Sequence, residues 1–375
     1  MNPIRILVVD DSLTVRKRVV EVFGTDPGLT VVGEAEDGQR AIELCREPRP
    51  DVITMDMMLP VMSGLAATEY IMAYHPTPIL IVSASINRGE LHRTYDALAA
   101  GAVDVIEKPL GGETSNTWER DLIAAVKMVS KIKVITHPRA RLGKSRGTPL
   151  PAPAPLRFGA PPEPNPTATL GDGANQSLPA WRAGVHPVKL LALGASTGGP
   201  AAILQVLKGL PAQFPIPILL VLHIGAPFAA ALAEWLGQYA PMPVVYARDG
   251  EALPQRGRPG VWMAPADHHL IVEGGLLRLT ETPERFSCRP SVDVLFESVA
   301  REFGPRAAGC LFTGMGKDGA QGLLEMRRKG SWTAAQDEAS SVVFGMPREA
   351  IQLGAAQRVL GLDQFAPALL ALAAE

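Results

Sequence analysis

Five side chains in the first third of this 375-residue sequence are of the types that phosphoryl transfer needs: Asp10, Asp11, Asp56, Ser83 and Lys108. Each stands at or just beyond the end of an apolar run that reads as a β-strand, namely Ile4 to Val9, Val52 to Met55, Ile79 to Ser83 and Val103 to Ile106. In an open parallel sheet all the carboxyl ends lie along one edge, and ligands bind there near the point where strand order reverses. The five side chains can therefore converge. Three clustered carboxylates repel one another unless a hard cation neutralises them, and Mg²⁺ suits a few carboxylate oxygens together with waters and a phosphate. In such a site Asp56 would be the nucleophile, Lys108 a point charge on a phosphoryl oxygen and Ser83 a hydroxyl donor. Spacing alone leaves plainer roles open: Asp11 capping a helix near Leu13, Asp56 opening a loop, and Lys108-Pro109 forming a turn.

A second set of residues suits acyl transfer. Lys189 to Leu193 reads as a strand, Gly194-Ala195-Ser196-Thr197-Gly198-Gly199 as a small-residue turn, and a helix opens near Pro200. The turn fits G-x-S-x-G, in which glycines permit the sharp bend that exposes a serine hydroxyl, and free helical N–H groups nearby favour developing negative charge. The same turn could cradle a phosphate, or Ser196 could simply cap the helix. A nucleophilic serine also needs a base and an orienting acid. Beyond Ser196 the histidines are His223, His268 and His269, and each could instead be a structural residue. His223 ends the strand Pro217 to Leu222 on the same edge as Ser196. The acid candidate is Asp318, in the Gly-rich loop Thr313-Gly314-Met315-Gly316-Lys317-Asp318-Gly319, whose plainer role is capping a helix at Ala320. The order Ser, His, Asp differs from the Ser, Asp, His order of α/β-hydrolases, which argues against an ordinary esterase fold.

These residues must be positioned by two separate units. Residues 137 to 186 hold ten of the chain's 34 prolines and lack helical or strand periodicity, as expected of an extended, semi-rigid linker. Before it, strand-like runs alternate with helical patterns, which predicts a parallel α/β sheet in residues 1 to 136. After it, runs at Val188 to Leu193, Ile216 to His223, Val244 to Ala247, Val261 to Ala264, Cys310 to Thr313 and Ser331 to Ala335 predict a doubly wound, mostly parallel α/β unit in residues 187 to 375. The net charge of −2 comes without any face of clustered Lys and Arg, so no nucleic-acid partner is expected. No apolar run approaches the roughly 20 residues that a membrane helix needs, and the N-terminus has no signal-peptide pattern. A cytoplasmic location without membrane insertion is the expectation. Cys45, Cys288 and Cys310 have no paired spacing and are expected to be buried thiols.

The segments Val8-Val9-Asp10-Asp11-Ser12, Met55-Asp56-Met57-Met58-Leu59-Pro60-Val61-Met62-Ser63-Gly64 and Gly101-Ala102-Val103-Asp104-Val105-Ile106-Glu107-Lys108-Pro109 resemble the response-regulator receiver signature. The resemblance implies a flavodoxin-like fold with a parallel five-stranded sheet, Mg²⁺ held by Asp10, Asp11, Asp56 and the Met58 carbonyl, and phosphotransfer from a histidine kinase to Asp56. Val105 stands where the family often has an aromatic switch residue. Gly194 to Gly199, Arg289-Pro290-Ser291-Val292-Asp293-Val294-Leu295-Phe296, Thr313 to Gly319, Ala335-Gln336-Asp337-Glu338 and Gly345-Met346-Pro347-Arg348-Glu349-Ala350-Ile351 resemble the catalytic domain of the CheB chemotaxis methylesterases. That resemblance implies Ser196 as nucleophile, His223 as base, Asp318 as orienting acid, the Met315 N–H as an oxyanion donor and Thr197 in support. It further implies hydrolysis of glutamate methyl esters on the cytoplasmic helices of methyl-accepting chemoreceptors, deamidation of receptor glutamines through the same acyl-enzyme, and a CheA-type kinase as phosphodonor. Mg²⁺ would serve phosphorylation alone, with no cofactor for ester hydrolysis. In that family the unphosphorylated receiver packs over the catalytic face. Leu222-His223-Ile224-Gly225-Ala226-Pro227 departs from the usual Gln-His-Met-Pro type of sequence, and Ala266 replaces a common glycine.

Overall fold

In the first unit, strands and helices alternate without exception: β1 (Ile4–Val9), α1 (Leu13–Gly24), β2 (Leu29–Ala35), α2 (Gly38–Arg46), β3 (Val52–Met55), α3 (Gly64–Tyr74), β4 (Ile79–Ser83), α4 (Arg88–Ala99), β5 (Asp104–Glu107) and α5 (Asn116–Val129). The computed structural model describes residues 2–47, 49–84, 87–108, 116–132, 134 and 186–374, so the expected linker lies outside it except for His186. The five strands pair in parallel in the order β2-β1-β3-β4-β5. Helices cover both faces of such a sheet, so its strands are apolar along their length rather than alternating. β3, Val-Ile-Thr-Met, is buried at all four positions. Helix starts are set by short polar side chains: Ser12, Asp37, Ser63 and Asn87 each accept a hydrogen bond from a backbone N–H of the first turn.

The second unit continues with β6 (Leu190–Ala195), α6 (Gly199–Lys208), β7 (Ile218–Leu222), α7 (Ala226–Ala229), α8 (Leu232–Tyr239), β8 (Val244–Tyr246), β9 (Glu251–Ala252), β10 (Val261–Met263), β11 (His269–Glu273) and β12 (Leu276–Thr280). It closes with α9 (Val292–Phe303), β13 (Ala307–Leu311), α10 (Ala320–Arg328), β14 (Trp332–Gln336), α11 (Met346–Gln352), β15 (Arg358–Leu360) and α12 (Phe365–Ala374). Seven of these strands form a parallel sheet in the order β15-β14-β13-β6-β7-β10-β8. In this unit every strand expected from sequence is present with shifted ends; the run expected at Cys310 to Thr313 is β13, which stops at Leu311. A small antiparallel sheet, β11-β12-β9, has no counterpart among the expected strands. Among the described residues no helix is long and apolar enough to cross a membrane.

Candidate active site

The chain enters the seven-stranded sheet at β6 and extends it in both directions, to β7 on one side and β13 on the other. Such a reversal opens a crevice at the carboxyl ends. Ser196 follows β6, His223 follows β7, and Asp318 lies in the loop after β13. The Ser196 N–H donates to the Thr313 carbonyl and the His223 N–H to the Ala195 carbonyl, each at 3.0 Å, which ties the three strand ends together. Gly198, at φ +75°, begins α6 without a side-chain cap, so Ser196 is not the helix cap that its position allowed. Gly314 packs against the serine so closely that a Cβ there would meet Ser196 Cβ at 2.7 Å and Met346 Sδ at 2.3 Å.

Of the three candidate histidines only His223 meets the acid, its Nε2 lying 2.9 Å from Asp318 Oδ2. His269 is fully buried, where its Nδ1 accepts the Ser291 N–H at 3.1 Å and its Nε2 faces the Pro283 carbonyl at 3.2 Å. His268 pairs with Glu281 at 3.3 Å. Asp318 does not cap α10. Its Oδ2 also accepts the Val292 N–H at 2.7 Å, while Oδ1 accepts the Ser291 hydroxyl at 2.7 Å and the Asp293 N–H at 3.1 Å. The carboxylate thus sits on the N-terminus of α9, where free N–H groups and the helix dipole favour negative charge. Burial alone would raise its pKa, yet His223, Ser291 and Val292 outweigh that and hold Asp318 below the usual carboxylate range. For His223, burial works toward the neutral ring, but Asp318 and Cys288 prevail and push its pKa up to about 9.

Cys288 corrects the expectation of three buried thiols. Cys45 and Cys310 are buried, whereas Cys288 is partly exposed and its Sγ lies 3.8 Å from His223 Nδ1 while donating to the Phe286 carbonyl at 3.5 Å. No spacing signal marks this contact, since Cys288 and His223 are far apart in sequence. Ser291, the N-cap of α9, carries no catalytic signal in the sequence either, although it orients the acid directly.

The serine site faces the first unit. Thr197, expected as a support residue, spends its hydroxyl on Asp104 Oδ2 at 2.9 Å. Helix α4 packs on α6 and α8: Asp96 Oδ1 accepts from Trp235 Nε1 at 2.8 Å and from Tyr239 Oη at 3.0 Å, and Tyr95 Oη donates to the Phe228 carbonyl. The Tyr95 and Trp235 ring centroids are 5.4 Å apart. Met315, by contrast, is exposed at the rim.

At the other cluster, Lys108 Nζ bridges Asp10 Oδ2 at 2.8 Å and Asp56 Oδ2 at 2.9 Å. Carboxylate oxygens of Asp10, Asp11 and Asp56 all lie within 4.8 Å of one another. Asp56 Oδ1 is buried without a hydrogen-bond partner among the described residues, and an all-carboxylate donor set with an open buried oxygen fits a hard divalent cation. Burial raises the pKa of Asp56 above the ordinary value, with Lys108 opposing it. Met58, two residues on, has an exposed side chain. Ser12 rather than Asp11 caps α1. The Ser83 hydroxyl is turned aside from the cluster and donates to Glu90 Oε1 at 2.7 Å.

Residues 191–369 match the CheB methylesterase family and residues 6–115 match the response regulator receiver domain. A protein of Nitrosospira multiformis named protein-glutamate methylesterase/protein-glutamine glutaminase is 41% identical over 99% of this chain and 98% of its own length. The chain belongs to the CheB methylesterase family. A second relative, protein-glutamate methylesterase/protein-glutamine glutaminase 4 of Myxococcus xanthus, is 41% identical over 98% of this chain and 96% of its own length. The crystal structure of the Thermotoga maritima CheB methylesterase catalytic domain is 33% identical and spans 49% of this chain and 98% of that one, with a TM-score of 0.47.

Proposed function

We propose that this family member removes methyl groups from glutamate methyl esters on the cytoplasmic helices of methyl-accepting chemoreceptors, under control of its own receiver domain, and deamidates receptor glutamines by the same chemistry. The observation that carries the reading is the Asp318–His223 hydrogen bond, 2.9 Å long, at the crevice where Ser196 follows β6. Ser196 attacks the γ-carbonyl carbon of the side chain. His223 holds Asp318 with Nε2, which leaves Nδ1 to take the serine proton and return it to the departing methanol, or to ammonia in deamidation. Asp318, fixed on the α9 N-terminus, keeps the ring oriented and supports the imidazolium as it forms. The Met315 N–H offers a donor to the developing oxyanion. Water then repeats the cycle on the acyl-serine and releases glutamate.

The limits of the parts are residues 1–136 for the receiver, 137–186 for the linker and 187–375 for the methylesterase domain. Asp56 accepts the phosphoryl group from a CheA-type histidine kinase, with Lys108 beside the phosphoryl oxygens and the Ser83 hydroxyl turning from Glu90 to donate to one of them. Asp10, Asp11, Asp56 and the Met58 carbonyl would hold Mg²⁺, which when bound offsets the repulsion among the carboxylates and the incoming phosphoryl charge. The deciding experiment is methanol release from methylated receptor membranes. Ser196→Ala should abolish release without loss of the fold, because Ser196 caps no helix; turnover near that of the parent would refute the nucleophile assignment.

A further inference from the structure

A route from Asp56 to the covered serine runs through a side chain that neither the triad nor the phosphate chemistry uses. Glu90 lies in the first turn of α4, only 6% exposed. Its Oε1 accepts two hydrogen bonds from the end of β4, one from the Ser83 hydroxyl at 2.7 Å and one from the Ala84 N–H at 2.9 Å. Thr94, one turn further along α4 and fully buried, donates to Ser83 Oγ at 3.4 Å. Ser83 is therefore bracketed by two residues of one helix face. A hydroxyl has a single proton, so Ser83 can donate to Glu90 or to a phosphoryl oxygen on Asp56, and not to both.

The next residues of the same helix hold the catalytic unit. Tyr95 and Asp96 follow Thr94 directly and make the contacts to Phe228, Trp235 and Tyr239. Position 105 is a valine packed among apolar neighbours, with no polar group that could track Ser83. What does track it is the Glu90 carboxyl.

We propose that Glu90 is the positioning residue that couples Ser83 to the domain interface. With Asp56 unmodified, Glu90 holds the Ser83 hydroxyl and keeps the start of α4 in its docked place. When a phosphoryl oxygen accepts the Ser83 hydrogen bond, Glu90 remains buried and loses the Ser83 hydroxyl as a donor, an unfavourable change for a buried acceptor. The first turn of α4 shifts to relieve it, and Tyr95 and Asp96 lose their grip on the catalytic unit. This inference rests on Asp56 being the phosphorylated residue.

The test uses the full chain, treated with acetyl phosphate and Mg²⁺, with two readouts: phosphoryl occupancy by intact mass, and the ratio of methanol release with and without phosphodonor. Glu90→Ala should reach at least parental occupancy, because the Ser83 proton is free. Its activation ratio should nonetheless fall about fivefold, the equilibrium worth of one net hydrogen bond. Glu90→Gln keeps an acceptor oxygen at the same reach and should keep the ratio, which separates coupling from a merely space-filling role. Should Glu90→Ala fold poorly, Glu90→Leu, which fills most of the same space without an acceptor oxygen, takes its place with the same expected occupancy and the same expected fall in the ratio. A Glu90→Ala protein that activates like the parent at equal occupancy overturns the proposal while leaving Asp56 as phosphoacceptor. A parent that gains no phosphoryl group, or an Asp56→Asn variant that still responds, overturns the Asp56 assignment and the proposal together.

Discussion

Asp104 of the receiver accepts a hydrogen bond from the hydroxyl of Thr197, the residue next to Ser196, at 2.9 Å. Through it the last strand of the receiver sheet reaches the turn that presents the serine. Burial raises the pKa of Asp104, so the carboxyl is desolvated by the contact, with the Val105 N–H and the Thr197 hydroxyl partly compensating. Because both domains belong to one chain, their mutual concentration is high, which lets a few such bonds hold a closed state.

Weakening that interface should therefore release activity. Removing residues 1–136 should raise basal methanol release and abolish the response to phosphodonor. Asp96→Ala, which takes the acceptor from both Trp235 and Tyr239, should raise basal release about five- to tenfold in the full chain, as expected for roughly 1–1.4 kcal/mol of lost docking. A truncated enzyme no faster than the unphosphorylated parent would mean that the receiver does not inhibit.

Asp318 and His269 should separate cleanly in kinetics. Asp318→Asn disturbs the His223 ring directly, a change that costs on the order of 10⁴ in kcat in the serine-protease triad. It also leaves the N-terminus of α9 with a weaker acceptor, so Tm should drop as well. His269→Ala removes a partner of Ser291 and lies one bond further from the acid, so its loss of rate should be far smaller. Equal defects in His269→Ala and His223→Ala would make the choice of base wrong.

How much of this was legible follows from where the physical signals lie. Strands β1 and β3 are largely apolar runs followed at once by Asp10 and Asp56, and buried parallel strands favour such runs, so these two acids could be placed from the chain alone. The choice among His223, His268 and His269 could not, because each follows a strand-like run and only the tertiary pairing of β6, β7 and β13 brings one ring to Asp318. The β11–β12 hairpin did carry a signal: Gly274 and Gly275, both at positive φ, form a two-residue turn between Glu273 and Leu276, the Gly-Gly pattern that such hairpins favour. The contacts of Asp318 with α9, of Cys288 with His223 and of Glu90 with Ser83 are matters of side-chain approach, which periodicity does not encode.

Gly314 offers a test of how tightly the serine must be held. With 2.7 Å to Ser196 Cβ and 2.3 Å to Met346 Sδ, a methyl group at this position has no room unless the serine turn or α11 moves. Gly314→Ala should cost about 1–3 kcal/mol of stability by overpacking. A displacement of the nucleophile near 1 Å should lower kcat on the order of 10²-fold, with phosphorylation of Asp56 unaffected. Parental kinetics in this variant would show that the serine turn tolerates movement.

The pH dependence should report the surroundings of His223. As a base the ring must be neutral, and its pKa stands near 9 because Asp318 and the Cys288 sulfur together outweigh the effect of burial. Methanol release by the parent should thus climb as pH rises toward about 9. The sulfur donates to the Phe286 carbonyl and lies 3.8 Å from Nδ1, which favours the charged ring. Cys288→Ala removes that support, so the climb should begin at lower pH and release at pH 7 should rise, by no more than about tenfold for every pH unit that the midpoint of the climb moves down. Stability should move in the opposite sense along the pH axis. A histidine whose pKa is raised by folding contributes stability that is full below its ordinary value of 6.5 and is lost as pH rises through about 9. Melting followed by calorimetry from pH 6 to 10 should therefore show a decline in the parent that is shallower in Cys288→Ala and shallower still in His223→Ala. A Cys288→Ala protein with an unmoved rate profile would show that the thiol exerts no hold on the base.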